Sequence, residues 1–177
     1  MRFSALAARP VPWKNGGGLT RELASETKGG GTVWRLSLAE ISRNGPFSAF
    51  PGLARIHCIV DGAGHTLSND CTRLEARLLE LLEFDGGLQL ECRLRDGPCK
   101  AFNVIYDPAR VAASASVLGE GAVPVFGGRQ ALFVISGSLE IKGTGRLGAG
   151  EGIVTASAAT GAVSSGSAVV QVQLAPV

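Results

Sequence analysis

Short apolar runs that stop repeatedly at glycine, proline, asparagine or aspartate constrain this chain more than any single motif. WRLSLAEI (34–41) alternates, with Trp34, Leu36 and Leu38 on one face and Arg35 and Ser37 on the other. RIHCIVDGAG (55–64) runs into a glycine turn. LQLECRL (88–94) puts Leu88, Leu90, Cys92 and Leu94 on one side, and AFNVIYD (101–107) and RVAASASVL (110–118) follow. Runs this short, with 25 glycines available to turn them, predict an all-β fold, sandwich or barrel. One stretch dissents. CTRLEARLLELLEF (71–84) has Leu74, Leu78, Leu81 and Leu82 at helical spacing with charges between, and by periodicity alone it reads as an amphipathic helix.

A chain of 177 residues, 45% hydrophobic and 18% charged, has ample material for a core in one compact domain or two small subdomains. The net charge of +2 is spread evenly, whereas a nucleic-acid surface needs a clustered basic stripe, so no nucleic-acid partner is expected. Neither a membrane-spanning run nor a signal-peptide pattern is present, which makes the cytoplasm the expected location, with no membrane partner. Cys58, Cys71, Cys92 and Cys99 form no CxxC pair and read as reduced, buried or half-buried small hydrophobes.

From Arg129 onward the texture changes to three turn-separated strand groups, QALFVISGSLEI, GRLGAGEGIVT and AVSSGSAVVQVQL. The hairpin followed by an AGE turn resembles the cupin small-barrel pattern. An earlier stretch, IHCIVDGAGHTL, echoes LFVISGSLEIKG: each is a strand, a glycine turn and a strand. Two such units suggest an internal repeat, a bicupin of two small barrels, with boundaries at 1–112 and 113–177.

Cupins often hold a metal through histidines and a carboxylate. This chain has only His57 and His65, no His-x-His pair, and no histidine after Arg129, so neither metal nor other cofactor is expected. His57, in an apolar strand, reads as a packed histidine, and His65, just past a glycine turn, as a surface residue. The polar groups that ask for a role cluster earlier, in PWKNGGGLTREL. A run of glycines can bring backbone N–H groups close to a ligand, as anion-binding nests do. Arg35, sharing a strand with apolar residues, is either paired with Glu22 or a clamp for an anionic ligand, since guanidinium matches a carboxylate with two parallel hydrogen bonds. The second glycine run, Gly29 to Gly31, reads as a hairpin loop, and GPFSAFPG (45–52) as a proline-pinned plug with Phe47 and Phe50 facing inward.

PWKNGGGLTREL, WRLSLAEI, NGPFSAFPGLAR, ECRLRDGP and AFNVIYD, in this order and spacing, resemble the HutD/Ves family of bicupin proteins over roughly residues 10 to 107, and more loosely to the end. The resemblance implies a pair of β-barrels, and therefore strands at 71–84. It implies no established catalytic activity. Members are associated with histidine degradation and are thought to bind an intermediate such as formiminoglutamate or formylglutamate. Carried over by motif, the residues around the pocket would be Trp13, Lys14, Asn15, Gly16, Gly17, Gly18, Thr20, Arg21, Glu22, Trp34, Arg35, Ser37 and Asn103. The chain departs from the family where a GDWPV turn reads DGGLQL, and where Ala101 replaces an aspartate before Phe102; both bear on the pocket rim.

Three classes of function stand at this point. The first is a non-enzymatic binder of a small carboxylate ligand that moderates histidine utilisation, with a homodimer possible. The second is a metal-independent hydrolase or isomerase acting on a similar acid, with Glu22 as general base. The third is a module that docks on a protein regulator.

Overall fold

The computed structural model describes residues 1–124, 128–156 and 160–177, and among them every regular element is a β-strand. The chain divides into an N-terminal unit, Arg9–Pro108, and a C-terminal unit formed by Met1–Ala8 with Ala109–Val177. The boundary expected at 112/113 falls inside a strand. The first residues leave the N-terminal unit because their short strand β1 (Arg2–Ser4) pairs antiparallel with a strand near the other end of the chain.

Ten strands build the N-terminal unit: β2 (Pro10–Pro12), β3 (Gly18–Lys28), β4 (Gly31–Ile41), β5 (Gly45–Phe47), β6 (Ala54–Asp61), β7 (His65–Ser68), β8 (Arg73–Ala76), β9 (Leu81–Asp85), β10 (Leu90–Leu94) and β11 (Cys99–Tyr106). They form a six-stranded sheet, β2-β3-β4-β11-β6-β9, and a four-stranded sheet, β5-β10-β7-β8. The β3–β4 hairpin turns through Gly29 and Gly30, both at positive φ (61° and 77°), the backbone a tight two-residue turn between twisted strands requires. This is the hairpin loop the glycines predict. Ile41, Ile59, Leu67, Phe47, Leu90, Cys92 and Cys99 pack as the core, with Leu74, Leu82 and Phe84 against them.

The C-terminal unit adds β12 (Val111–Leu118), β13 (Gly121–Ala122), β14 (Arg129–Ser136), β15 (Ser138–Ile141), β16 (Gly145–Gly148), β17 (Glu151–Thr155), β18 (Gly161–Val163) and β19 (Ala168–Pro176). Its sheets run β1-β17-β14-β19-β12 and β13-β18-β15-β16. Adding eight to each label of the N-terminal unit reproduces this arrangement: β4-β11-β6-β9 becomes β12-β19-β14-β17, and β5-β10-β7-β8 becomes β13-β18-β15-β16. The echo between IHCIVDGAGHTL and LFVISGSLEIKG is thus a true topological repeat, β6–β7 against β14–β15. The second core is Leu132, Val134, Leu139, Ile141, Leu147, Val163 and Val169 with Val123 and Ile153.

The helical periodicity of 71–84 is overturned. Residues 73–76 are β8, residues 81–85 are β9, and the chain reverses between them with Leu79 at φ 61°. Glu80 N–H donates to the Arg77 carbonyl at 3.1 Å and Leu79 N–H to Ile59 at 2.8 Å, so the turn is tied to β6. Leu78, a member of the helical stripe, is exposed, so the leucines at helical spacing do not share a buried face. Cys58, Cys92 and Cys99 are buried free thiols as expected, but Cys71, in the loop before β8, is exposed.

Candidate functional site

Strand register assembles the site before any side-chain contact is considered. Across β4, β11 and β6, residues Arg35, Ile105 and Arg55 lie in one row, and Ser37, Asn103 and His57 in the next. Ala39, Ala101 and Ile59 make a third row. On β3, Glu22 stands opposite Ser37, and Thr20 opposite Ala39. Because side chains alternate along a strand, every second residue of β4 and β6 faces the same side, and that side encloses a cavity of about 270 Å³. Trp13, Thr20, Glu22, Arg35, Ser37, Phe47, Phe50, Arg55 and Asn103 line it, with Val11, Pro12, Ala39, Ser48 and Ile105.

Arg55 is the dominant charge. It is 4% exposed, its Nε and Nη2 donate to Asn103 Oδ1 at 3.0 and 2.8 Å, and Nη1 donates to the Ser48 carbonyl at 3.3 Å. The guanidinium lies 4.1 Å from the Phe47 ring centroid and 5.8 Å from those of Phe50 and Phe84. Aromatic faces attract a cation, the more so when water is excluded. Among the described residues no carboxylate pairs with it. Burial, and then the positive charge of Arg35, bring its pKa down to about 9, which leaves it cationic at neutral pH. A buried cation without a counter-ion is costly, and its open flank is the cavity.

Arg35 stands nearer the mouth, its side chain 30% exposed. Its Nε is 3.6 Å from a Glu22 carboxylate oxygen, too long for a hydrogen bond, and it has no hydrogen-bond partner although it is buried. The pairing with Glu22 and the place in the cavity wall therefore coexist. Glu22 accepts a 2.7 Å hydrogen bond from Ser25 Oγ. Trp13 closes the side of the cavity, pinned by a 2.8 Å bond from Nε1 to Thr20 Oγ1.

Six of the residues read from the sequence thus meet at the cavity: Trp13, Thr20, Glu22, Arg35, Ser37 and Asn103. The others lie elsewhere. Arg21 alternates away from Thr20 and Glu22 and binds Glu40. Trp34 points to the opposite face from Arg35 and donates to Glu26 at 2.8 Å. Lys14 and Asn15 are exposed, Asn15 Oδ1 accepting from Gly17 N–H at 2.9 Å and Nδ2 donating to the Pro46 carbonyl at 3.2 Å.

The glycine run is a turn in which the N–H groups of Gly16 and Gly17 are already donated within the protein. Gly16 N–H donates to the Trp13 carbonyl, Trp13 N–H to Gly18, and Ser42 N–H to Gly17. Glycine is needed here for space: a Cβ on Gly18 would sit 2.1 Å from the Glu40 carbonyl oxygen, where β3 meets β4.

Two buried polar positions escape the sequence reading. Arg55 is hidden in the apolar run RIHCIV, where its only signal is that it shares a strand face with His57 and Ile59. His65, expected on the surface, is fully buried, its Nε2 3.1 Å from His57 Nε2 and its Nδ1 3.5 Å from Cys99 Sγ. The turn before it is tight because Gly64 packs against Ala76, so the residue that follows enters the interior. Burial, then the charge of Arg55, push His65 down to about 4 and His57 well below its ordinary value. Among the described residues no cluster of three or more His, Cys, Asp or Glu side chains is arranged to hold a metal ion.

The HutD family model matches residues 5–172. An uncharacterized 21.2 kDa protein from the hutC 3′ region of Pseudomonas putida is 40% identical over 106 residues, 58% of this chain and 56% of that one. This match spans little more than half of that relative. Protein Ves of Escherichia fergusonii is 30% identical over 142 residues, covering 77% of this chain and 74% of its own. The structure of HutD from Pseudomonas fluorescens SBW25 superposes with a TM-score of 0.89 at 28% identity, over 100% of this chain and 98% of that one.

Proposed function

This chain belongs to the HutD family, and from that premise we propose that it is a non-enzymatic binding protein for a small carboxylate that serves histidine utilisation. The observation that carries the reading is Arg55, a buried cation without a carboxylate partner, facing a cavity that it shares with Arg35. A carboxylate entering there gains charge-assisted hydrogen bonds from two guanidinium groups in a desolvated site, where such bonds are stronger than in water. Ser37 and Thr20 add hydroxyls on the same wall, and Trp13 and Phe50 offer apolar surface to a short carbon chain. The ligand is an acidic intermediate of histidine degradation, of the formiminoglutamate or formylglutamate type. Support for the pathway comes from the name of the P. fluorescens protein and from the hutC neighbourhood of the P. putida relative. In the enzymatic alternative Glu22 would be the base, yet it sits at the mouth with its side chain 53% exposed, bonded to Ser25 and beside Arg35.

A thermal-shift screen of histidine catabolites, with NMR on the same mixtures, tests both. A bound acid present at 100 times its Kd stabilises the fold by about 2.7 kcal/mol, a rise of several degrees, and its NMR spectrum stays unchanged. Product signals would establish turnover, and indifference to every acid would remove the binding reading.

A further inference from the structure

Behind the cavity, Cys99, His65, His57 and Asn103 form one chain of hydrogen bonds, and its direction is fixed by a residue that can only donate. Arg55 has no acceptor atom, so Asn103 must present its carbonyl oxygen to it, while Nδ2 donates to the Ala101 carbonyl at 3.2 Å. His57 Nδ1 lies 2.7 Å from that same Oδ1 and therefore carries a proton. A neutral His57 then has a bare Nε2, and the proton between it and His65 Nε2, 3.1 Å away, belongs to His65. The remaining nitrogen of His65 is an acceptor for the Cys99 thiol at 3.5 Å. That thiol keeps its proton, since burial raises it to about 11. A second proton on His57 would place a positive charge in a fully buried space and force His65 into its other tautomer, with Nδ1–H against the Cys99 sulfur. Every link points toward Asn103 Oδ1, and none brings a negative charge.

We propose that Asn103, oriented by His57 and His65, is a specificity-determining residue of the cavity: it holds Arg55 through a neutral acceptor, so that the missing negative charge is supplied by a carboxylate ligand. The idea rests on the carboxylate reading above, whereas the ring protons follow from the hydrogen-bond geometry of two buried, neutral imidazoles. An aspartate at this position would have nearly the same shape and would accept the same bonds, but it would neutralise Arg55 from within. Asn103 is thus a place where stability is given up for binding. The C-terminal unit has no counterpart of the relay: its register puts Gln171 where Asn103 stands, Gln130 where Arg55 stands, and Leu132 where His57 stands.

The test combines side-chain 15N NMR of the unaltered protein at pH 7 with Asn103→Asp, followed by melting and by tryptophan fluorescence during titration with formate and with glutarate. The expected result is His57 protonated at Nδ1, His65 at Nε2, and an Asn103→Asp protein that melts higher than wild type yet binds both acids at least tenfold more weakly. A merely structural asparagine would move both properties in the same direction. His57 protonated at Nε2, or on both nitrogens, overturns the relay, and this holds even if the variant does not fold. Full affinity in Asn103→Asp overturns the specificity role. Wild-type protein that responds to neither acid overturns the carboxylate reading itself, and the specificity role with it, whatever the tautomers.

Discussion

Where the N-terminal unit carries Arg35, Ile105 and Arg55 across three neighbouring strands, the C-terminal unit carries Ser114, Gln173 and Gln130 at the same register. One row on, Ser37, Asn103 and His57 face Ser116, Gln171 and Leu132 as their counterparts. Ala39, Ala101 and Ile59 correspond to Leu118, Val169 and Val134. The strand order is the same and the chemistry is not. Gln171 Nε2 donates to Gln130 Oε1 at 3.1 Å, the neutral version of the Arg55–Asn103 pair, while the larger Leu118, Val169 and Leu132 fill their rows with hydrocarbon. A repeated β-plan therefore offers one set of inward positions that can be spent on packing or on a charged cavity. The C-terminal unit uses them for packing and for one buried, uncharged amide pair, Gln130 with Gln171. The N-terminal unit accepts a buried cation and two buried imidazoles, each unfavourable without its partners.

Acid gives the largest expected difference between the units, because both histidines lie in the N-terminal one. With its pKa lowered from 6.5 to about 4, His65 in the folded state binds its proton later than the unfolded chain does. Its contribution is therefore complete above about pH 6.5 and is lost as pH falls toward 4. At about 1.4 kcal/mol per unit this amounts to about 3 kcal/mol, with His57 acting in the same direction. Trp13 and Trp34 are both in the N-terminal unit, so their fluorescence should report a melting temperature that falls steeply between pH 6.5 and 4. A flat profile across that window would mean the imidazoles are not held neutral.

Exchanging the row residues comes next. Arg55→Gln, which installs the residue found at the equivalent position of the C-terminal unit, removes the buried cation. Hydrogen bonds to a charged group are worth about 1.5–3 kcal/mol each, so loss of a two-pronged contact should weaken formate or glutarate at least 100-fold. Apo melting should hold or rise, since an uncompensated charge has gone. Unchanged affinity would show that the cavity does not use Arg55.

Much of this was legible in the sequence. Alternation located most of the strands, the glycine turns located the repeat, and Arg35 stood out because it breaks an apolar pattern, with Glu22 or an anionic ligand left as its two alternative partners. Three features were not legible, for separate reasons. The leucines of 71–84 mimic a helix because two short strands and a turn happen to place them three and four apart. His65 follows a Gly-Ala-Gly turn, and nothing local distinguishes a turn that ends at the surface from one that dives inward. Arg55 sits in a strand so apolar that its charge reads as noise until Phe47, Phe84 and Asn103, distant in sequence, are folded around it. The glycine run was conspicuous, but composition alone does not say whether bare backbone faces a ligand or another strand.

That last point can be sharpened by two single-methyl changes. Gly18→Ala forces a Cβ to within 2.1 Å of the Glu40 carbonyl, which must push β3 off β4, and about 2 kcal/mol of stability should be lost, in the range of overpacking. Gly17→Ala meets only the Asn15 side chain, at 3.1 Å, and should cost far less. If instead Gly17→Ala abolishes carboxylate binding while Gly18→Ala melts normally, the run serves the ligand and not the hairpin, and the N-terminal unit owes its difference to this loop as well as to its rows.

Arg35 gives the smallest effect and the finest distinction. It shares the cavity with Arg55 but stands at the mouth, where water and Glu22 already solvate part of its charge. An exposed pair of this kind contributes about 0–1 kcal/mol to stability, so Arg35→Ala should leave apo melting nearly unchanged. A carboxylate that engages the accessible part of its guanidinium would lose roughly one charge-assisted bond, weakening formate or glutarate by about tenfold. Arg35→Lys keeps the charge without the planar fork and should recover only part of that loss. Arg35→Ser, the residue at the matching position of the C-terminal unit, should behave as the alanine does, because Ser114 there shows only that the backbone tolerates a short side chain at this register. The opposite pattern, a clear drop in apo melting with affinity intact, would reassign Arg35 to holding Glu22 and β3 in place. The cavity would then depend on Arg55 as its single cation, and the two units would differ in one cavity charge where the rows now suggest two.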